Sequence, residues 1–388
     1  MTIKVQPTDY FGGSTRLDLM RGGRSVSHLD GIVPLTLCFG SARVRADGIA
    51  GLGTEEDCRR QGCARQVMDA ALAHMTQGDA GLSFLHGIRD FYHRFGYVSA
   101  GPIHVLSMGT EANAAVTPPV GFRVRACTEQ DLPALQFLYS ANTGDAVGAA
   151  VRPPEGFVWA KLKASLQAEE CRVVEDTQGQ VVAYAWLGRD CWAVRSFERG
   201  GDPNSFTIGE VMAADGPAAD AVLAACRAWA EEEAVLRSEP VYLVRFPQPP
   251  VGPVAAALTR QQAFSTQRYQ PNGGFMARVI HLERLLAALA PELARRLAAS
   301  SLGFSGSLRL RTEIGEASLP LNPRGAAGRT QEVVVELSQA GLTRLVFGTT
   351  TPDDVLDREG VAREGPARQL LRALFPAAWP HIYLPDQC

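Results

Sequence analysis

The residues of this chain best suited to chemistry form an arginine-rich loop, Arg59-Arg60-Gln61-Gly62-Cys63-Ala64. The loop follows a short apolar stretch, residues 49–53, and precedes apolar positions spaced as one stripe of an α-helix: Ala64, Val67, Met68, Ala71, Leu72 and Met75. The pattern predicts a strand, a loop and a helix, with Gly62 in the first helical turn, where unpaired backbone N–H groups point outward. A helix start of this kind binds phosphate well. With the loop arginines and Arg65 beside it, we expect a cradle for the pyrophosphate of a nucleotide cofactor.

Two common glycine-loop motifs do not fit these residues. A Walker loop needs Lys and then Ser or Thr after its last glycine, and a dinucleotide fingerprint needs G-x-G-x-x-G. The pattern from Arg59 through Gly62 to Ala64 instead resembles the pyrophosphate loop of the GNAT acetyltransferases, which bind acetyl-CoA. The alternative is an ordinary strand-loop-helix connection with arginines on a solvated helix start.

A second motif follows the apolar strand predicted at residues 82–86. The run Phe91-Tyr92-His93-Arg94-Phe95-Gly96-Tyr97 resembles the last helix and strand of a GNAT core. In that superfamily the tyrosine matching Tyr92 lies beside the CoA sulfur, where a phenol can protonate the thiolate that departs when an amine attacks the thioester. The alternative for Tyr92 is an aromatic side chain packed on the sheet. We expect that role for Tyr97, which follows Gly96 and begins a strand.

Composition limits the class of protein. A chain of 388 residues predicts about three domains, and a net charge of −3 gives no reason to expect nucleic acid or an anionic membrane as partner. The eight cysteines lack C-x-x-C pairs and nearby histidines, so neither zinc nor a disulfide framework is indicated. Cys63, at a helix start, is either a reactive thiol or a small buried side chain, and we favour the second. Without a signal-like N-terminus or an apolar run of about 18 residues, we expect a cytoplasmic protein.

The chain shows signs of a duplicated unit. Residues 32–39, 42–44 and 49–53 predict a strand meander with turns at Gly40-Ser41 and Asp47-Gly48, and residues 111–120 predict a link. A strand at 122–125 and a helix capped by Thr128 and Asp131 then begin a second unit, with a hairpin at 171–187, a strand at 206–212, a helix at 217–234 and a strand at 241–246. An acid stands where a phosphate would bind, so we expect no CoA there. The helix 282–299, strands 307–311 and 332–337, and helices 342–347, 352–357 and 366–375 predict an α+β domain.

This architecture resembles the enhanced-intracellular-survival family of acetyltransferases. The resemblance implies an α/β and α+β fold: two tandem GNAT-like mixed-sheet domains, residues 1–117 and 118–279, followed by a sterol-carrier-protein-like domain, residues 280–388. The first domain is expected to be catalytic and N-terminally short, since about 28 residues precede the meander. The family forms hexamers, so a homo-oligomer is expected by resemblance.

The resemblance also assigns site residues. The strand edge at Leu52, Gly53 and Thr54 would bind the pantetheine arm, and Gly87 and Ile88 would line the same cleft. The pyrophosphate would be held by Arg60, Gln61, Gly62, Cys63, Ala64 and Arg65. In this family the tyrosine matching Tyr92 is the general acid and the terminal carboxylate is the base, here that of Cys388, although family members usually end in an aromatic residue. Because residues 379–384 are apolar and contain proline, we expect the tail to be docked.

The sequence thus predicts an acetyl-CoA-dependent N-acetyltransferase that transfers acetyl to a primary amine by direct attack. The acceptor is expected to be an amine on a small molecule or a peptide. The alternative is a non-catalytic GNAT-like scaffold that binds CoA or another ligand. Other candidate bases remain open: Glu55, Glu56, Asp57, His86 and His93.

Overall fold

The computed structural model describes residues 1–110, 119–321 and 331–387. Its contacts divide into two compact units. The first unit contains Met1–Pro102 and Tyr269–Pro380, and the second contains Ile103–Arg268 and His381–Gln387. Most of the predicted link, residues 111–120, lies outside the described residues. The division into three domains stays a prediction.

A mixed sheet forms the centre of the first unit. With strands numbered along the whole chain, it contains β1 (Thr2–Thr8), β2 (Ser14–Arg21), β3 (Arg24–Phe39), β4 (Ala42–Thr54), β5 (Leu82–Gly87), β6 (Val98–Ser99) and β16 (Gly274–Val279). They lie in the order β1-β2-β3-β4-β5-β16-β6, and β4 and β5 run parallel. The predicted turn at Gly40-Ser41 joins β3 to β4 and is confirmed. The predicted turn at Asp47-Gly48 is wrong, because Gly48 continues β4 and pairs with Val33 on one side and Phe84 on the other.

One strand of this sheet comes from far along the sequence. β16 pairs antiparallel with the whole of β5, from the pair Gly274–Gly87 to the pair Val279–Leu82. The pairing satisfies backbone groups of β5 that would otherwise form an open edge. The predicted domain boundary at residue 279 therefore does not coincide with the boundary between the compact units.

Helix α1 (Cys63–Met75) covers one face of the sheet. Its buried side chains Val67, Met68 and Ala71 pack in one cluster with Leu17 and Leu29 from the strands. The predicted apolar stripe is confirmed, and each large apolar side chain buried in this way contributes about 1.5–3 kcal/mol. This packing fixes the position of the helix start that follows Gly62.

The C-terminal part of the first unit is α+β, as predicted. It contains α7 (Leu282–Ala299), β17 (Gly306–Thr312), β18 (Gly315–Leu321), β19 (Gln331–Glu336), α8 (Gln339–Phe347), α9 (Pro352–Arg358) and α10 (Pro366–Leu374). The strand order is β18-β17-β19, and β18 is a strand that the sequence pattern did not predict. The likeness of this part to a sterol carrier protein stays a prediction.

The second unit is also mixed α/β. Its elements are β7 (Ile103–Gly109), β8 (Arg123–Ala126), α2 (Leu132–Thr143), β9 (Val147–Ala150), α3 (Phe157–Ser165), β10 (Cys171–Glu175), β11 (Val181–Trp186), α4 (Trp192–Arg199), β12 (Ser205–Thr207), β13 (Glu210–Ala213), α5 (Gly216–Arg237), β14 (Leu243–Phe246), α6 (Gly252–Arg260) and β15 (Phe264–Arg268). Two sheets have the orders β13-β11-β10-β8 and β12-β14-β7-β15. The predicted capping box of Thr128 and Asp131 is confirmed. At the start of α5, Asp215 Oδ1 accepts a hydrogen bond from the Ala218 N–H (2.9 Å), so a protein carboxylate already caps this helix.

Within the described ranges, no helix combines the length and apolar character needed to cross a bilayer. No group of three or more His, Cys, Asp or Glu side chains in those ranges could hold a metal ion.

Candidate active site

The parallel strands β4 and β5 separate after a short paired stretch. Their last pair joins Gly48 and Phe84, whereas β4 continues to Thr54 and β5 to Gly87. No later pair joins the two strands in the described part of the chain. Residues 49, 50 and 52–54 stay paired to β3 on the other side, so backbone N–H and C=O groups of β4 also point into the opening. A strand edge of this kind can bind an extended ligand through its backbone.

Gly62 directly precedes α1, in the loop that follows the end of β4 at Thr54. The prediction that it lies in the first helical turn is wrong, because its φ of +78° is left-handed and places it at the N-cap. A Cβ at Gly62 would meet no atom within 4 Å, so the backbone conformation, and not lack of space, favours glycine here. No side chain caps the helix at this position. The first N–H groups of α1 are therefore available to an anion.

The loop side chains divide into exposed cations and groups that hold the loop. Arg60 and Arg65 are exposed, and the Arg65 guanidinium lies 5.7 Å from the centre of the Phe95 ring. Arg59 Nε donates to the Thr54 carbonyl (3.4 Å), which ties the loop to the end of β4. Gln61 Nε2 donates to the Asp57 carbonyl (2.8 Å), so this side chain stabilises the loop itself. The arginines supply positive charge beside the start of α1.

Two further loop residues have mainly structural roles. Cys63 is 1% exposed and packs in the core under α1, which agrees with the small buried side chain favoured from the sequence. Ala64 is half-buried in the first turn. Among the acidic candidates for a base, Asp57 and Glu55 pair with Arg24 at 3.0 and 3.2 Å. These ion pairs indicate that both carboxylates belong to a solvated segment before the helix and do not act as the base.

Tyr92 follows β5 in the chain, and its ring packs against Gly87, the last residue of that strand, beside the opening. It begins a 3₁₀ helix, Tyr92–Phe95, and is 8% exposed. A Cβ at Gly87 would lie 2.7 Å from Tyr92 Cδ2, so the glycine provides the space for the ring. Burial raises the pKa of Tyr92 to about 12, so the phenol keeps its proton at neutral pH. Ile88, by contrast, is 69% exposed just beyond the strand.

Tyr97 is the core residue that the sequence predicted. It is fully buried, and its Oη lies 2.7 Å from Ser83 Oγ. Burial raises the pKa of Tyr97. The Ser83 hydroxyl in turn donates a hydrogen bond to the Asp47 carbonyl (2.8 Å). This side chain stabilises the sheet below the opening.

The two histidine candidates differ in environment. His86, on β5, stacks on Phe275 with ring centres 5.7 Å apart, and burial lowers its pKa to about 4. It is therefore neutral at pH 7 but a weak base. His93 is exposed on the 3₁₀ helix.

The C-terminal tail is docked: residues 381–387 are buried and belong to the second unit. That the tail reaches the active site stays a prediction. Arg152 holds Asp386 through Nε and Nη2, both at 2.8 Å, and holds Glu210 through Nη1 at 2.9 Å. The three side chains are 2%, 1% and 0% exposed. Arg152 also lies over the Tyr139 ring at 3.7 Å. Cys388 itself lies outside the described residues.

Two polar residues near the opening were not predicted from the sequence as site residues. His28 and Asp30, on β3, lie against the glycines of β4 at positions 53 and 51. The alternation of polar residues at 28 and 30 with glycines at 51 and 53 was the available signal. It becomes informative only when the register of β3 on β4 is known.

Comparisons with known proteins agree with this geometry. Residues 10–100 match the family model of the acetyltransferase (GNAT) domain. No curated protein matches the sequence.

Solved structures match over nearly the whole chain. A GCN5-related N-acetyltransferase from Kribbella flavida is 20% identical, with a TM-score of 0.63 and coverage of 96% of this chain and 88% of that one. A probable N-acyltransferase from Enterococcus faecalis is 14% identical (TM-score 0.70; 97% and 89% covered). Eis1 from Mycobacterium abscessus is 17% identical (TM-score 0.62; 96% and 90% covered). At these identities the likeness shows the fold. Residues 10–100 thus match the GNAT acetyltransferase domain, and over nearly its whole length the chain shares the fold of these solved structures, Eis1 among them.

Proposed function

We propose that this protein is an acetyl-CoA-dependent N-acetyltransferase that transfers acetyl to a primary amine of a small molecule or a peptide by direct attack. The observation that carries the proposal is the edge of β4, residues 49–54, which is not paired with β5. The start of α1, which no side chain caps, and the buried phenol of Tyr92 accompany this edge. An edge, an anion site and a proton donor at one end of a sheet match an extended, phosphate-bearing acyl donor.

The residues present fit such a donor. Backbone groups of Leu52, Gly53 and Thr54 would bind the pantetheine arm, and Gly87 and Ile88 would line the same slot. The diphosphate would lie at the start of α1, where the loop from Arg60 through Gly62 to Arg65 adds positive charge. When bound, acetyl-CoA supplies an activated acetyl thioester: the acceptor nitrogen bonds to the acetyl carbon, and the carbon–sulfur bond breaks with its electron pair on sulfur.

Tyr92 is the proposed general acid. Its hydroxyl has no hydrogen-bond partner within the described residues, so it is available to a ligand sulfur. Because burial raises the pKa of Tyr92 to about 12, the side chain is fully protonated over the working pH range and can donate from Oη. Removal of the hydroxyl alone should therefore affect the chemical step more than cofactor binding.

The terminal carboxylate of Cys388 is the proposed base. Support comes from the family resemblance and from the anchored tail, in which Asp386 is held by Arg152 two residues before the terminus. An α-carboxylate with a pKa of roughly 3.3–3.7 is ionised at neutral pH and can accept a proton.

The test is thiol release from acetyl-CoA with a panel of polyamines, aminoglycosides and lysine peptides. At least one amine should release thiol in proportion to acetylated product. Tight acetyl-CoA binding by calorimetry without product from any amine would refute catalysis and favour the non-catalytic scaffold. Sedimentation would test the hexamer that the resemblance implies.

A further inference from the structure

Polar side chains of β3 lie over β4 on the face of the sheet opposite α1, next to polar side chains of β2. Leu17 and Leu29 are cross-strand partners and belong to the core under α1. Asp18 and His28 form the next pair, so they point to the opposite face. His28 is also paired with Gly53 on β4. His28 therefore lies over the stretch of β4 whose free edge forms the proposed acyl-donor slot.

Two glycines of β4 make room for this arrangement. A Cβ at Gly53 would lie 2.5 Å from His28 Nε2, and a Cβ at Gly51 would overlap the carboxylate of Asp30. The imidazole and the carboxylate thus rest directly on the β4 backbone. Their side chains keep 29% and 33% of their exposure, so a small molecule can reach them.

The charged side chains around His28 could be balanced by a bound cation. Arg16 pairs with Asp18 at 3.0 Å and with Asp30 at 2.5 Å, so one guanidinium serves two carboxylates. His28 Nε2 lies 3.7 Å from Asp30 Oδ1. Lys4 faces Asp18 from β1, two strands away from His28, and β4 places only Gly53 opposite the imidazole. An ammonium beside Asp30 would balance the remaining negative charge.

The proposed reaction needs a base of moderate strength at this point. An alkylammonium has a pKa of about 10.4 and an α-carboxylate one of about 3.5, so a terminal carboxylate is a poor base toward an ammonium. Imidazole as a class of base is stronger than a carboxylate and is therefore better suited to take a proton from an ammonium. The nitrogen must lose this first proton before it can attack, whereas the proton lost after the carbon–nitrogen bond forms is far more acidic.

We propose that Asp30 binds the protonated acceptor amine and that His28 Nε2 takes its first proton, leaving the lone pair on nitrogen. The inference rests on the proposed function. The balance is complete: nitrogen gives one proton to His28 and a second to the terminal carboxylate, and Tyr92 gives one to sulfur. Arg16 is a positioning residue that orients the Asp30 carboxylate.

The experiment compares the full-length protein with His28→Gln, Asp30→Asn and a matched control, His74→Gln, whose histidine lies on α1. Spermidine is the acceptor, and kcat and KM are measured from pH 6.5 to about 10. His28→Gln should lose roughly 10²-fold in kcat at pH 7, and the deficit should shrink toward high pH, where spermidine arrives as free amine. Asp30→Asn should raise KM about tenfold and change kcat less. The kcat and KM of His74→Gln should match those of the wild type. All three variants should bind acetyl-CoA with wild-type affinity.

A second readout does not depend on turnover. Spermidine added to the protein without acetyl-CoA should shift the imidazole resonances of His28 in NMR spectra and leave those of His74 in place. A His28→Gln deficit that is equal at all pH values, or unmoved His28 resonances, would overturn the proposal. If the wild type transfers acetyl to no amine, the proposed function fails, and the NMR shift alone then decides whether this is an amine-binding site.

Discussion

Replacement of Gly62 by aspartate should abolish tight acetyl-CoA binding while the protein stays folded. The residue is exposed, and a side chain there would meet no atom within 4 Å. Its φ of +78° is one that Asn and Asp tolerate better than other side chains. A carboxylate at the N-cap of α1 would also satisfy a free N–H and gain about 0.3–1 kcal/mol from the helix dipole.

The same carboxylate would repel the diphosphate. Two unit charges about 4 Å apart interact by about 1 kcal/mol in bulk water and about 4 kcal/mol at an effective dielectric constant of about 20. Because Gly62 is exposed, the lower part of that range applies. Repulsion by a ligand with two negative charges then costs about 2–4 kcal/mol, or roughly 30- to 700-fold in affinity.

Gly62→Asn is the matched control, since it has the same shape and the same tolerance of left-handed backbone without the charge. Calorimetry should show acetyl-CoA affinity falling from the wild type to the Asn variant and then to the Asp variant. Most of the loss should lie between the Asn and Asp variants. The free energies of unfolding of the two variants, measured by thermal denaturation, should agree within about 1 kcal/mol. Equal affinities of the Asn and Asp variants would show that the diphosphate does not lie at the start of α1.

Two further predictions concern the site, and a third concerns the Asp47 carboxyl of β4. Tyr92→Phe should lower kcat roughly 10²- to 10⁴-fold with unchanged acetyl-CoA affinity, while Tyr97→Phe should be nearly silent; the reverse result would reassign the acid. Residues appended after Cys388 should inactivate the enzyme, whereas Cys388→Phe should keep activity, and a C-terminally tagged protein with full turnover would dismiss the terminal base. Burial, and next the neighbouring Asp79, raises the pKa of Asp47 from 3.8 to about 6, so this carboxyl lowers stability as pH rises from about 4 to 6. Asp47→Asn should therefore stabilise the protein by up to about 3 kcal/mol above pH 6, less where partial exposure screens the charge, and leave stability below pH 4 unchanged in denaturant titrations.

Periodic elements could be read from the sequence, whereas positions fixed by tertiary pairing could not. The stripe on α1 and the bounds of α7 followed from the spacing of apolar residues. The Asp47-Gly48 pair predicts a turn because Asp-Gly is a strong turn signal, yet pairing with the parallel strand β5 keeps Gly48 in β4. β16 could not be placed, because its partner β5 lies nearly two hundred residues earlier in the chain.

The site shows the same division. The loop around Gly62 and the run around Tyr92 are contiguous motifs, so sequence alone was enough to select them. His28 and Asp30 become relevant only through the register that sets them against Gly53 and Gly51. Such a juxtaposition depends on the register between two long strands, and local spacing does not encode it.

The buried pairing of Arg152 with Asp386 has a consequence for biosynthesis. The two residues are 234 positions apart, and residues 269–380, which belong to the first unit, are made between them. At about 5–20 residues per second, a ribosome needs roughly 10–50 s to reach Asp386 after Arg152 has emerged. Until then Glu210 alone can neutralise the guanidinium. The second unit therefore completes its interior only after most of the first has been synthesised, and a chain that stalls in between exposes an unfinished core to chaperones and proteases.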